Sequence, residues 1–393
     1  MGVFLDLKKA FDVVPHSILL KKLEKLGITG TALAWFESYL SNRAQKVDIN
    51  GHLSETALLD ALSVFQGTSL GPILFLCFIN DLPRATDLFS ILYADDTTGL
   101  DSDTDLQTLM TRVSMELRKM AIWFQSNRMA LNISKTKYII FHVPPKKVDQ
   151  NTKLMLDSNI PNTPFNPELI FEIERIHNSH ANPSLRSFKL LGIHFDEHLN
   201  FNANTNALIS KLSRSIFFIN RVKHTLTPKA LKSLYISFFH SHLLYCTNIY
   251  TCTSQTNINK IFLQQKKAIR IITKSSYNAH TAPLFARLDI LPLEKVITHA
   301  KLTFMHSVYY GHAPTSFANT WQTQAQRHPE LILRNATDIY TPFPRIDLFK
   351  RIPLYSLPNT WNSHDTVRYY ANRTTFKYAL HDLLHSAAEQ AAE

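Results

Sequence analysis

An adjacent pair of acids between two apolar, β-prone segments constrains this chain more than any other feature of its sequence. Residues 90–100 read SILYADDTTGL, a pattern that predicts a strand, a tight turn and a second strand with Asp95 and Asp96 at the tip. Two neighbouring carboxylates repel each other at a half-buried hairpin end unless a cation, usually a divalent metal, neutralises them. A metal site is the functional interpretation, and an Asp-Asp turn that only caps a hairpin is the structural alternative.

A third acid stands near the start of the chain. Residues 3–7 predict a buried strand in which Asp6 closes the apolar run, and the following turn brings Phe11 round near the same acid. The chain begins almost directly on this strand, with no upstream segment to pair with it. We therefore expect that an N-terminal portion of a larger protein is missing.

The segments between these acids alternate between helical and extended patterns. Apolar spacing predicts helices over residues 17–26, 31–40 and 105–126, and Asn50-Gly51 predicts a hairpin between strands at 45–49 and 56–64. Residues 65–75 predict a small-residue loop that opens into an apolar helix, in which Gly67 permits close approach of a ligand or another strand. Turn chemistry alone is the structural alternative for that glycine.

The second half of the chain changes character twice. Residues 143–187 are rich in proline and asparagine and predict a looped insertion with two modest strand candidates, near Leu154 and Ile170. Residues 188–195 predict a further strand, with a turn behind it. From about residue 203 the chain is helical, with basic residues between aromatic ones. That mixture is typical of helices that face a phosphate backbone, and a solvated basic face is the alternative.

Composition narrows the partners and the compartment. The 393 residues carry 45% hydrophobic side chains and a formal charge of +11, which indicates a globular protein with a polyanionic partner. The three cysteines are too few and too irregularly spaced for a disulfide framework or a zinc site, so we expect no zinc. Neither a secretory signal nor a membrane span is visible, which predicts an intracellular protein of the nucleus or cytoplasm without a membrane partner.

The three acids together suggest a reaction. If the strand bearing Asp6 neighbours the hairpin of Asp95 and Asp96 in one antiparallel sheet, all three carboxylates meet at one edge. Two divalent cations held by shared carboxylates activate a hydroxyl and stabilise a leaving pyrophosphate. Hard oxygen ligands favour Mg²⁺ over zinc. The residues thus predict a metal-dependent nucleotidyl transferase that acts on nucleic acid.

At this point the sequence resembles a known family. Three successive segments look like consecutive palm motifs of a reverse transcriptase: FLDLKKAFD (4–12), QGTSLGPILF (66–75) with INDLP (79–83), and YADD (93–96). They are most similar to non-LTR, LINE-type retrotransposon enzymes of the jockey kind. LNISKTK (131–137) resembles the family's next motif and LLGIHFD (190–196) its primer-grip region. The likeness covers nearly the whole chain.

The resemblance implies an α+β fold: a polymerase palm, with an antiparallel sheet and packed helices, followed by an all-α thumb and a C-terminal region. It implies a partial palm over residues 1–142 without fingers, the insertion over 143–187, a primer-grip strand and turn over 188–202, a helical thumb over 203–312 and the C-terminal region over 313–393.

The resemblance also implies residue roles. Two Mg²⁺ ions would be held by Asp6, Asp95 and Asp96, and Lys135 would give a proton to the pyrophosphate. Phe11 would exclude a ribose 2′-hydroxyl. The remaining substrate contacts would come from Gln66, Gly67, Tyr93 and Ala94. The implied partners are an RNA template, a DNA primer and a dNTP.

Two functions remain open from the sequence. The first is an RNA-directed DNA polymerase, as a truncated copy without the fingers and endonuclease regions that such an element carries. The second is a catalytically incompetent relic, or a co-opted protein that binds nucleic acid without polymerising. The intact acids favour the first and the missing fingers favour the second.

Overall fold

The elements near the acids form a sheet with helices on it. The computed structural model describes residues 1–58, 62–65, 67–144, 146, 148–149, 152–159, 163–317 and 319–389. These fall into two compact units, residues 1–188 with 196–198, and residues 189–195 with 199–393. In order, the elements up to residue 176 are β1 (Gly2–Leu5), α1 (His16–Lys25), α2 (Gly30–Leu40), β2 (Ala44–Gln45), β3 (Asp48–Ile49), β4 (His52–Leu53), β5 (Ala57–Leu58), α3 (Leu70–Ile79), β6 (Phe89–Tyr93), β7 (Asp96–Leu100), α4 (Leu106–Ser126), β8 (Lys137–Ile139), β9 (Leu154–Asp157) and β10 (Ile170–Ile176).

The main sheet of the first unit has six strands in the order β6-β7-β1-β8-β10-β9. Every neighbouring pair is antiparallel except β8 with β10, which is parallel. The central strand β1 is buried along its whole length, because helices cover the sheet and their apolar side chains form one core with it. This confirms the α+β class and places the end of β1 between β7 and β8.

Local sequence explains the helices that cover this sheet. The side chain of Asp105 accepts a hydrogen bond of 2.7 Å from the amide of Thr108, which caps the first turn of α4. Helix α1 ends before Gly27, whose φ of 92° lies in the left-handed region that favours glycine at such a position. The predicted helices are therefore confirmed to within one or two residues of their bounds.

Two extended predictions need correction, and the two strand candidates of the 143–187 segment are confirmed. Residues 188–195 are not one strand but a hairpin of β11 (Phe188–Leu190) and β12 (Ile193–Phe195). The reason is that Leu191 and Gly192 both have positive φ, 46° and 86°, which turns the chain back. The strand candidates near Leu154 and Ile170 are β9 and β10, and both join the main sheet. The predicted strand over 56–64 is reduced, within the described residues, to β5.

The second unit is helical. After β12 its elements are α5 (Asn202–Val222), α6 (Pro228–Leu234), a π-helix (Tyr235–His240), α7 (Ser241–Leu244), α8 (Thr247–Tyr250), α9 (Gln255–Ile272), α10 (Ala282–Leu288), α11 (Leu293–Tyr309), α12 (Gln324–Arg327), α13 (Asp347–Arg351), α14 (Pro353–Asn362), α15 (Asp365–Arg368) and α16 (Arg373–Glu389). One apolar core lies between α5 and α9, and another joins Leu302, Trp361 and Phe376. Across the described ranges, no helix combines the length and apolar character needed to cross a bilayer.

A buried carboxylate ties α4 to the segment before β6. Glu116 accepts hydrogen bonds from Thr86 Oγ1 at 2.9 Å, the Asp87 amide at 2.7 Å and Lys119 Nζ at 2.7 Å. Burial alone would raise the pKa of Glu116, but these bonds, led by that from Lys119, lower it below its ordinary value of 4.5. The charged form is thus the one that stabilises the fold.

We expect this carboxylate to make stability depend on pH. Because the pKa of Glu116 is lower in the folded state than in the unfolded state, the stabilisation by its carboxylate is complete above pH 4.5. This stabilisation is lost as the pH falls through the folded-state pKa. The free energy of unfolding of the wild type and of Glu116→Gln is measured with urea between about pH 6 and pH 3. We expect the wild type to be the more stable at pH 6 and the difference to shrink as the pH falls. An advantage that stays constant down to the lowest pH would contradict the prediction.

Candidate active site

The acid pair lies on a hairpin tip. Strand β6 ends at Tyr93 and β7 begins at Asp96, and these two residues are paired across the ladder. Ala94 and Asp95 form the two-residue turn between them, and Ala94 has a φ of 53°, in the left-handed region. Tyr93 is exposed, and Asp95 is half-buried. The predicted strand, turn and strand are confirmed.

Asp6 comes to the same edge of the sheet. Strand β1 pairs with β7 so that Leu5 lies opposite Thr97, which sends the next residue, Asp6, out of the sheet beside Asp96. Partial burial, followed by the negative charges of Asp95 and Asp6, raises the pKa of Asp96 above its ordinary value. Asp6 thus shares one electrostatic field with the acid pair, although it lies about ninety positions before them in the sequence.

A turn on the other side of β1 holds the backbone of Asp6. The Asn132 amide donates to the Asp6 carbonyl oxygen at 2.8 Å, and the Asp6 amide donates to Thr136 Oγ1 at 3.3 Å. The hydroxyl of Thr136, which is fully buried, donates in turn to the Asn132 carbonyl oxygen at 3.0 Å. This turn also places Lys135 Nζ 4.0 Å from Asp6 Oδ2. The structure therefore brings Asp6, Asp95, Asp96 and Lys135 to one edge.

The three aspartates fit a divalent cation by their chemistry. They offer hard carboxylate oxygens, and a bound cation would relieve the repulsion that, after partial burial, raises the pKa of Asp96. Their oxygens are not all within 4.8 Å of one another; in the described part of the chain that spacing occurs in two other groups of three, His142–Glu197–His198 and Asp289–His381–His385. Like charges without a cation between them are expected to stay apart in this way.

Phe11 lies on the short 3₁₀ helix Ala10–Asp12 and packs against α3, the helix that follows the small-residue loop. Its ring stacks on Phe75 of α3 with centroids 4.3 Å apart, and its carbonyl oxygen accepts from the Val64 amide at 2.9 Å. Gly67 has a φ of 83°, which favours glycine there. Gln66 lies outside the described residues. Phe11 and the start of the loop are thus neighbours, although they are more than fifty positions apart in the sequence.

Sequence reasoning missed residues that shape this site. A Cβ on Gly71 would stand 2.1 Å from the carbonyl oxygen of Phe65, so only glycine permits the loop to fold against the first turn of α3. The Gly-Pro pair at a helix start is a signal that points to it. Asn132 and Thr136, which hold the backbone of Asp6, belong to the 131–137 motif, but the motif does not reveal this role, because their partner is more than 120 residues away.

A basic cavity of about 440 Å³ lies in the second unit. Burial, then the charges of Lys189 and Lys211, lowers the pKa of His194, and burial, then Lys211 and Arg214, lowers that of His242. All five side chains line the cavity. Lys189, Lys211 and Arg214 give the cavity a positive charge, which suits a phosphate group.

Comparison with known proteins gives a consistent result. Residues 1–195 match the family described as "Reverse transcriptase (RNA-dependent DNA polymerase)". The chain is 26% identical over 337 residues, or 83% of its length, to the RNA-directed DNA polymerase from mobile element jockey of Drosophila melanogaster. It is 26% identical over 309 residues, or 76% of its length, to the probable RNA-directed DNA polymerase from transposon BS of the same species. The chain spans about a third of these relatives, 34% and 31% of their lengths.

Proposed function

Because residues 1–195 belong to the reverse transcriptase family and the chain is homologous to non-LTR retrotransposon polymerases, we propose that it is an RNA-directed DNA polymerase. The proposed reaction is attack of a primer 3′-hydroxyl on the α-phosphate of a dNTP, directed by an RNA template, with release of pyrophosphate. The observation that carries the proposal is the convergence of Asp6, Asp95 and Asp96 at one sheet edge, where partial burial and then the charges of Asp95 and Asp6 raise the pKa of Asp96.

Asp6 and Asp95 are the proposed principal ligands of two Mg²⁺ ions, with Asp96 beside them. When bound, the ions would lower the pKa of the primer hydroxyl and balance the charge of the leaving pyrophosphate. The fixed backbone of Asp6 supports its role, because the hydrogen bonds from Asn132 and to Thr136 hold the carboxylate at the edge before substrate arrives. Lys135, whose ammonium is 70% exposed and 4.0 Å from Asp6, is the proposed proton donor to pyrophosphate.

The substrate contacts are proposed from the surrounding residues. Phe11 would lie under the sugar, where its ring, held on Phe75, leaves no room for a 2′-hydroxyl. Gln66 and Gly67 would contact the incoming nucleotide, Ala94 would line its pocket and exposed Tyr93 would support the primer end. The first unit then corresponds to a palm, and the helices from about residue 203 to a thumb that holds the duplex.

Primer extension tests the proposal directly. The chain is incubated with an RNA template annealed to a DNA primer, four dNTPs and Mg²⁺, beside the Asp95→Asn variant. We expect extension that follows the template and is lost in the variant. If both proteins bind primer–template equally and neither extends it, the alternative of a relic or co-opted nucleic-acid-binding protein replaces the polymerase.

Binding through the basic cavity gives a further prediction. The double substitution Lys211→Gln with Arg214→Gln should weaken primer–template binding and reduce the magnitude of the slope of log affinity against log salt by about 1 to 2. The reason is that a protein with fewer phosphate contacts releases fewer counterions from the nucleic acid when it binds. A charge-matched control is Lys350→Gln with Lys377→Gln, two exposed lysines of the C-terminal region. Equal slopes for the two double variants would show that the cavity does not bind phosphate.

A further inference from the structure

A second group of possible metal ligands lies in the first unit, and it does not include Asp6, Asp95 or Asp96. His142 follows β8, and Glu197 and His198 belong to the turn after β12. His142 Nε2 lies 3.5 Å from Glu197 Oε2, and His198 Nε2 lies 3.9 Å from Glu197 Oε1. We propose that His142, Glu197 and His198 form a binding site for Zn²⁺ or a similar first-row transition metal, with water as the fourth ligand.

The separations suit such an ion. Ligand atoms at zinc-to-nitrogen and zinc-to-oxygen distances of about 2.0–2.1 Å in a tetrahedron are roughly 3.3–3.4 Å apart. The His142–Glu197 separation of 3.5 Å already matches, and the His198–Glu197 separation of 3.9 Å needs only a small rotation. Two histidines and one glutamate with an open fourth position are an established zinc ligand set.

The backbone fixes the histidine nitrogens that face the carboxylate. His142 Nδ1 lies 3.0 Å from the Val143 carbonyl oxygen, and His198 Nδ1 lies 3.1 Å from the His142 carbonyl oxygen. A carbonyl oxygen only accepts, so each Nδ1 carries a proton, and Nε2 is the nitrogen that would ligate a metal in place of its own proton. This arrangement, with Nδ1–H on a carbonyl and Nε2 free to ligate, is typical of metal-binding histidines.

Glu197 is prepared as a ligand by its surroundings. Its side chain is 8% exposed, Oε1 accepts from the Asn178 amide at 2.9 Å and Oε2 lies 3.7 Å from Arg175 Nη2. Each carboxylate oxygen retains a lone pair for a metal. The positive charge of Arg175 also opposes a cation, so we expect a dissociation constant on the order of 1 μM and not the nanomolar range.

A metal bound at this site would lie away from Asp6 and would join two segments of the chain. Along β8, Lys137 pairs with Phe4 and Ile139 with Gly2, so His142 lies beyond the end of β8 that is opposite to the end beside Asp6. A metal there would fasten the end of β8 to the 196–198 turn, which the His142 amide already contacts through the Glu197 carbonyl oxygen at 3.1 Å. From the sequence we expected no zinc, because the three cysteines are few and irregularly spaced. The ligands proposed here form no recognisable sequence motif, because His142 lies 55 residues before Glu197.

Titration of the full chain with ZnCl₂, followed by calorimetry, tests the site, with CoCl₂ as a spectroscopic probe of tetrahedral geometry. His198→Gln should weaken the tightest site at least about 100-fold. The matched control is His381→Gln, in the more exposed Asp289–His381–His385 group, which should leave that site within about threefold of the wild type. Wild-type binding weaker than about 1 mM, or equal binding by His198→Gln, would overturn the proposal.

A measurement on the wild type covers the case in which His198→Gln does not fold. Zinc should protect His142 and His198 from modification by diethyl pyrocarbonate, as read by mass spectrometry of peptides. His52, an exposed histidine of the same unit, should react equally with and without zinc. Modification of His142 and His198 at rates that zinc does not change would refute binding there.

Discussion

We expect Asp95→Asn to lower the rate of templated nucleotide addition by at least about 1,000-fold, which corresponds to roughly 4 kcal/mol of transition-state stabilisation. Asparagine has the shape of aspartate but not its charge, so the hairpin tip keeps its turn and loses a cation ligand. The measurement is single-turnover primer extension in Mg²⁺, with primer–template affinity measured in parallel. Affinity should change by less than about threefold, because the carboxylate lies where the reaction occurs and not along the duplex.

The control for this substitution is Asp87→Asn. Asp87 is an acid of the same unit whose side chain is 88% exposed and paired with Lys119 at 3.1 Å, so its loss should leave the rate unchanged. Stability gives an independent check. Because Asp95 helps to raise the pKa of Asp96, the acid cluster opposes folding at neutral pH, and Asp95→Asn should melt no lower than the wild type. A variant that melts clearly lower would show that Asp95 has a structural role.

The convergence of the acids was accessible from the sequence for a physical reason. A strand that ends in an acid and a hairpin with two acids at its tip leave few ways to build one antiparallel sheet, and burial of β1 selects among them. The clamp on Asp6 was not accessible in this way. Thr136 accepts from the Asp6 amide across 130 positions, and the motif around Thr136 does not show which distant backbone group it contacts.

Pairing between distant strands limited the prediction in the same way. Strand β10 lies parallel to β8, and β9 completes the sheet beyond it, although both come from a segment that its prolines mark as a loop. Residues 188–195 show the opposite case. Gly192 is a residue typical of turns, but the apolar run around it predicted one strand. In the structure Leu191 also has a positive φ, and the two residues together form the turn of a hairpin.

The second large effect concerns Phe75. This ring is fully buried in the core of the first unit and stacks on Phe11 with centroids 4.3 Å apart. We expect Phe75→Ala to lower the free energy of unfolding by about 3 to 5 kcal/mol, since the substitution removes the burial of an aromatic ring and leaves a cavity in α3. Urea unfolding followed by circular dichroism measures the change, and Phe75→Leu, which keeps most of the volume, should cost about 1 to 2 kcal/mol.

The same substitution separates a packing role of Phe75 from a link to the proposed sugar gate. If Phe11 excludes the 2′-hydroxyl because Phe75 holds its ring in place, then Phe75→Ala, assayed where it is fully folded, should also incorporate ribonucleotides more readily, by on the order of tenfold. Phe75→Leu should show little of this effect, because leucine still supports the ring. A variant that loses stability but keeps its discrimination would show that Phe11 is held by its backbone, through the hydrogen bond from the Val64 amide, and does not need the stacked ring.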